Sequence, residues 1–230
     1  MYQTDPFTLI VLLVGLSLLP FIAMIATSYL KIVVVMSLIR NALGIQSIPP
    51  NMVINALAMV LSFYIMAPIC SESWDIVKAE RAAMAQRSAS GTPTQPGQPF
   101  YETDIIEKAV DPFKSWLNTQ IGERERAFFV TTAELLWAKG EDTPIEVDRE
   151  SLYILLPSFC VSELTKAFQI GFLVYLPFIA IDIIVSNILL AMGMMMVSPV
   201  TISLPFKLLL FVMVNGWTLL IQGLVRGYMI

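Results

Sequence analysis

Leu189-Leu190-Ala191-Met192-Gly193-Met194-Met195-Met196-Val197-Ser198-Pro199 joins two long apolar runs, and its reading decides how the C-terminal part of the chain is arranged. It holds four of the chain's thirteen methionines, three of them consecutive. Methionine is unbranched and polarizable, so a cluster of it makes a surface that repacks around changing partners. On composition alone the stretch reads as lipid-facing filler. Its setting argues otherwise: the run Ile170–Met192 precedes it and the breakers Pro199 and Pro205 follow, which places it at a hairpin tip rather than in mid-helix. A tip can project into a lumen.

The composition outside that stretch points the same way. Hydrophobic residues make up 57% of the chain and charged residues 14%, a balance typical of a helical membrane protein. Histidine is absent, which removes Ser-His-Asp and Cys-His nucleophile systems and the common imidazole metal ligands. Cys70 and Cys160 lie far apart in apolar company and suggest neither a zinc site nor a redox pair. With no phosphate-binding glycine loop and no nucleophile beside a base, the chain is not expected to be an enzyme or to carry a cofactor. Nothing in its charge pattern argues for nucleic acid.

Charge divides the chain into three parts. Residues 71–150 carry nine of the 14 Lys/Arg and fifteen of the 18 Asp/Glu, so an acidic insert separates two hydrophobic segments, 1–70 and 151–230. The expected fold is an all-α membrane protein, with two long kinked helical hairpins separated by a polar, mostly helical insert. In the first segment an apolar run from Phe7 to Ile39 is interrupted by Pro20 and Lys31. It exceeds the roughly 20 residues that span a bilayer and reads as a kinked span followed by an interfacial segment, or as a helix only partly in lipid. The opening Met1-Tyr2-Gln3-Thr4-Asp5 lacks the positive charge of a signal peptide and is expected to be retained.

Pro49 and Pro50 end the first element because they lack the amide hydrogens to continue it. Asn51 is placed to cap the next helix, Met52 to about Cys70. Arg40, with Lys31, falls near this hairpin tip, which on the positive-inside rule puts the tip in the cytosol and the insert outside. Within the insert, Glu72–Arg87 reads as a polar helix and residues 88–99 as a flexible Ser/Gly/Pro linker. Beyond it, Ile105, Ile106, Ala109, Phe113, Trp116 and Leu117 recur at helical spacing, and Phe128, Phe129, Leu135, Leu136 and Trp137 less regularly. Two amphipathic helices result, with Glu123-Arg124-Glu125-Arg126 as a solvated face.

The last segment places Glu163 and Lys166 at i,i+3 spacing on one helix face. Beside a 23-residue apolar run, Ile170–Met192, such a pair is suited to holding helices or subunits in register. Asp182 is the one charge in that run, and a carboxylate in apolar surroundings reads as functional by default. Asp182, Ser186 and Gly193 share a stripe that permits close helix contact. Lys207, Asn215, Thr218 and Gln222 fall within an arc of roughly 80° on a single final helix. Asp182 and Lys207 are natural partners across the hairpin.

Pro157–Phe172, with the pattern Pro-x-x-x-x-Ser-Glu-Leu-x-x-Ala-Phe-x-x-Gly-Phe, is followed by Leu176-Pro177-Phe178, Asp182, Met192-Gly193-Met194-Met195-Met196 and Ser203-Leu204-Pro205-Phe206-Lys207. Together with Ala26-Thr27-Ser28-Tyr29, Lys31, Leu38–Gly44 and Pro49-Pro50-Asn51, these residues resemble the FliP/SctR family, the core export-apparatus proteins of flagella and injectisomes. The resemblance covers all but the insert. It implies a homo-pentameric helical assembly with two smaller hydrophobic subunits (SctS/FliQ-like and SctT/FliR-like), raised largely out of the inner membrane toward the periplasm. Through it unfolded substrates pass, and Met194, Met195 and Met196 form a gasket at its narrowest part. Many flagellar members begin with a cleavable signal peptide; the departure here favours the injectisome branch. Two other classes fit the residues alone. One is an ion-coupled transporter or proton-conducting subunit built on Lys31, Asp182 and Lys207; the other is a scaffold that only positions partners.

Overall fold

The computed structural model describes residues 6–45, 48–89, 100–137 and 147–229. Among the described residues eight helices follow one another: α1 (Pro6–Ala26), α2 (Tyr29–Ala42), α3 (Asn51–Ala89), α4 (Phe100–Gln120), α5 (Glu123–Trp137), α6 (Leu152–Ala191), α7 (Pro199–Met213) and α8 (Gly216–Arg226). Among the described residues there is no strand. The expected all-α membrane class holds: α3 and α6 are each long and apolar enough to cross a bilayer, and two bent pairs near the chain's ends pass the same test as broken spans. At a rise of about 1.5 Å per residue, 40-residue α6 extends about 60 Å, twice the roughly 30 Å of a hydrocarbon core. A helix of that length exceeds what a span along the bilayer normal needs.

The chain forms two compact units, residues 63–162 and a second made of 1–62 with 163–230. In the first, α4, α5 and the beginning of α6 pack on their apolar faces. Leu117, Ile121, Leu155 and Phe159 form one buried cluster, with Phe113, Trp116, Leu152 and Leu156 against it. Val130, Ala133, Val147 and Ile154 form another. The helical spacing read for Phe113, Trp116 and Leu117 is thus the spacing of a packed face. The looser second set differs: Phe128, Leu135 and Leu136 are exposed, because Val130 and Ala133 turn the buried side of α5 elsewhere. Lys108 joins Glu80 at 2.6 Å, tying α4 to α3.

In the other unit, Ile32, Val35, Met36 and Ile39 of α2 are fully buried, and Ala167, Phe178, Phe211 and Leu224 are buried as well. Four local expectations are corrected here. The first apolar run does not break at Pro20, which sits inside α1; it breaks at Thr27-Ser28, where the axis turns by 75°. The cause is competition by hydroxyls: Thr27 Oγ1 donates to Ala23 O at 2.7 Å, and the Ser28 and Ser62 hydroxyls link to it in a chain at 3.1 and 3.0 Å. The second helix does not end near Cys70 but continues to Ala89, since the Ala, Glu, Lys and Arg residues that follow are good helix formers.

Asn51 is the first residue of α3, not its cap. The amides of Val53 and Ile54 donate to Pro50 O, so Pro50 stands at the cap position, while the Asn51 side chain turns to Arg40. The final helix, read as one, is two: α7 and α8 meet at a 59° bend. Asn215 there adopts the left-handed conformation, φ 52°, which Asn tolerates better than other residues with a side chain. A Cβ on Gly216 would lie 2.3 Å from the buried Phe211 ring, so only glycine fits after it. Lys207, on α7, and Thr218 and Gln222, on α8, accordingly do not share one straight face. The linker read over 88–99 lies outside the described residues from position 90, as do Met1–Asp5.

Candidate functional site: an exposed methionine loop and two buried ion pairs

The chain leaves α6 through a glycine-terminated cap. Gly193 has φ 74°, a conformation that disfavours any side chain. Its amide donates to Leu190 O at 3.0 Å and the Met194 amide to Leu189 O at 2.9 Å, the paired reverse bonds of a Schellman motif. Ser198 is extended, and Pro199 opens α7, where its missing amide hydrogen is of no consequence. Between these fixed ends, Met194, Met195 and Met196 are 44%, 81% and 101% exposed. The stretch from Leu189 to Pro199 is a helix-to-helix turn, as expected from the break at Pro199; Gly193, read as part of a helical stripe with Asp182 and Ser186, instead terminates α6, and the methionines extend from the tip.

Behind the tip, α6 and α7 are locked by a polar cluster. Asp182 Oδ2 lies 2.6 Å from Lys207 Nζ, and Asp182 Oδ1 accepts from the Ser203 hydroxyl at 2.6 Å. Lys207 also donates to the carbonyl of Ala42 at 3.2 Å, which brings in the C-terminal end of α2. The side chain of Lys207 is 4% exposed and that of Asp182 34%. The pairing expected across the hairpin is present. Its extra partners, Ser203 and Ala42 O, had no signal in the spacing.

A second cluster surrounds Glu163, which is completely buried. Lys166 reaches its Oε1 at 3.3 Å, the i,i+3 contact of one helix face. The stronger partner is Lys31, whose ammonium lies 3.1 Å from Oε2. Lys31 is therefore not near a hairpin tip, as its place in the sequence suggested, but inside the protein, drawn in by a carboxylate 132 positions away. Tyr228 completes the cluster: its hydroxyl donates to Glu163 Oε2, and its ring lies under Lys31 Nζ with the centroid at 3.5 Å, a cation–π contact. Burial first, and then the adjacent carboxylate, push the Tyr228 phenol far above its ordinary range, so it remains a donor. Three donors thus satisfy one carboxylate that water cannot reach.

Of the hairpin-tip residues Arg40, Pro49 and Pro50, Arg40 meets Pro49 directly. Arg40 Nη1 donates to Pro49 O at 3.2 Å and to the Asn51 side-chain oxygen. Arg40 stands in the last turn of α2, where a cation complements the helix dipole. Cys70 and Cys160 are both thiols. Among the described residues no group of three or more His, Cys, Asp or Glu is placed to hold a metal ion.

Residues 12–224 match the FliP family. The chain is 50% identical over 224 residues to the Yop proteins translocation protein R of Yersinia pestis, covering 97% of each chain. It is 45% identical over 221 residues to the hypersensitivity response secretion protein HrcR of Ralstonia nicotianae, covering 96% of each. To the surface presentation of antigens protein SpaP of Salmonella typhimurium it is 39% identical over 228 residues, again covering 96% of each. These relatives are named as secretion or surface-presentation components, not as enzymes, and the chain belongs to the FliP family, within its type III secretion branch.

Proposed function

We propose that this chain is the pore-forming subunit of a type III secretion export gate. Copies of it assemble into a helical oligomer, a pentamer by family resemblance, with two smaller hydrophobic subunits (SctS/FliQ-like and SctT/FliR-like), and the assembly conducts unfolded proteins across the bacterial inner membrane. The insert, 71–150, faces the periplasm and the Arg40–Pro49–Pro50 tip the cytosol. The observation that carries the reading is the exposed Met194–Met196 tip on a rigidly capped turn of a FliP-family chain. A pore for unfolded polypeptide must admit many side chains yet block ions when idle. Flexible thioethers repeated by symmetry close apolar contacts around nothing or around almost anything; β-branched side chains, stiff at χ1, suit one state only.

The ion pairs support a static role for the buried charges. Lys31 is matched to Glu163 and Lys207 to Asp182 within one chain. This weighs against the ion-coupled alternative, in which neutralising Asp182 would abolish coupling while assembly persists. Replacing Met194, Met195 and Met196 together with alanine is expected to raise small-ion leakage through the assembled complex, measured as conductance in a planar bilayer. Unchanged conductance would count against the gasket, and a change in assembly without leakage would favour a scaffold.

A further inference from the structure

Among the side chains that the structure leaves open to solvent, the loop methionines carry a chemistry that packing alone does not use. Met195 and Met196 are 81% and 101% exposed, and Met194 is 44% exposed. Their sulfurs stand on a turn rather than on an apolar helix face. By contrast Met36 is fully buried in α2 and Met66 is 7% exposed. Met52, Met59, Met192, Met213 and Met229 are exposed as well; what sets Met194, Met195 and Met196 apart is that three consecutive thioethers stand together on one turn between fixed ends.

We propose that Met194, Met195 and Met196 are a redox-sensitive modification site, at which a peroxide oxidises the thioethers and converts a sealing loop into a leaking one. The inference rests on the gasket reading. In each step the thioether sulfur attacks one peroxide oxygen. With hydrogen peroxide the O–O bond breaks and an S–O bond forms; sulfur loses two electrons, and the other oxygen leaves as hydroxide, which takes the proton from the newly bound oxygen to become water. The product is a chiral, polar sulfoxide in place of a flexible apolar side chain. A ring of sulfoxides attracts water where thioethers excluded it, so the closed state loses its dry contact. Because the sulfoxide is reversible by methionine sulfoxide reductases, the change can be undone.

The test uses the assembled complex in liposomes, treated with hydrogen peroxide, with oxidation mapped by peptide mass and ion leakage followed in parallel. The expected result is a gain of about 16 Da per oxygen on the loop peptide several-fold faster than on the peptides holding the buried Met36 and Met66. Leakage should rise toward that of the Met194–Met196 alanine variant and fall again after reductase treatment. A variant carrying Met194→Leu, Met195→Leu and Met196→Leu, similar in volume but not oxidisable, should show no peroxide-dependent rise relative to its own untreated state. Met196→Leu alone should reduce the rise, which keeps the test decisive if the triple variant fails to assemble. Loop sulfoxides without leakage, while the alanine variant leaks, would overturn this inference and leave the gasket standing. An equal peroxide response in the leucine variants would also overturn it. An alanine variant that does not leak would overturn both.

Discussion

Replacing Glu163 with glutamine is expected to lower the chain's stability by about 3–5 kcal/mol, the usual cost of leaving one partner of a buried ion pair uncompensated. The reason lies in what remains. Lys31, with a side chain 3% exposed, loses the carboxylate 3.1 Å away and cannot reach water. Tyr228 loses its charged acceptor at the same time. Against a typical total of about 5–15 kcal/mol, that is enough to deplete the folded population. Glu163→Lys goes further, placing a third cation beside Lys31 and Lys166. Lys166→Ala, by contrast, removes a partly exposed partner, 39% exposed at its side chain, and is expected to cost less than about 1 kcal/mol. Thermal melting of the detergent-solubilised protein by circular dichroism checks all three. The decisive arm is Lys31→Met combined with Glu163→Gln, which removes both charges and should recover part of the loss. Single variants that melt like the parent would refute the cluster's role.

The Asp182–Lys207 pair should respond asymmetrically. Asp182→Asn leaves the Lys207 ammonium, 4% exposed, without its counter-ion, whereas Lys207→Met leaves Asp182, 34% exposed, able to hydrate. The first change is expected to cost about 3 kcal/mol or more and the second about 1–3 kcal/mol, since it also removes the hydrogen bond to Ala42 O. The order of melting temperatures, Asp182→Asn below Lys207→Met, is the measurable outcome. The reverse order would mean that the carboxylate, not the ammonium, is the group water cannot reach.

The α6–α7 turn was legible because its signal is local: Pro199 cannot continue a helix. The Asp182–Lys207 pair was legible because few charges occur in that segment and a hairpin must bring its two sides together. The partnership of Lys31 and Glu163 was not, since nothing local connects positions 132 apart. A lone lysine in an apolar run does demand a buried carboxylate, and that demand was the available signal. Tyr228 left no trace of its role, as a tyrosine near a chain end is ordinary. The bend between α7 and α8 did carry a mark: Asn215-Gly216 is a turn dipeptide, outweighed by the apolar residues on both sides. At Thr27-Ser28 the hydroxyls, not the nearby Pro20, mark where the helix yields, while Pro20 sits inside α1 without ending it.

The central claim is that copies of this chain build a conduit whose narrowest ring is Met194–Met196. Its most direct test is particle imaging of the chain purified in detergent, alone and with the two smaller hydrophobic subunits. The account predicts ring-like oligomers containing several copies of this chain in the presence of those subunits, with the α6–α7 turns converging on the axis. A chain that remains monomeric under every condition would contradict it.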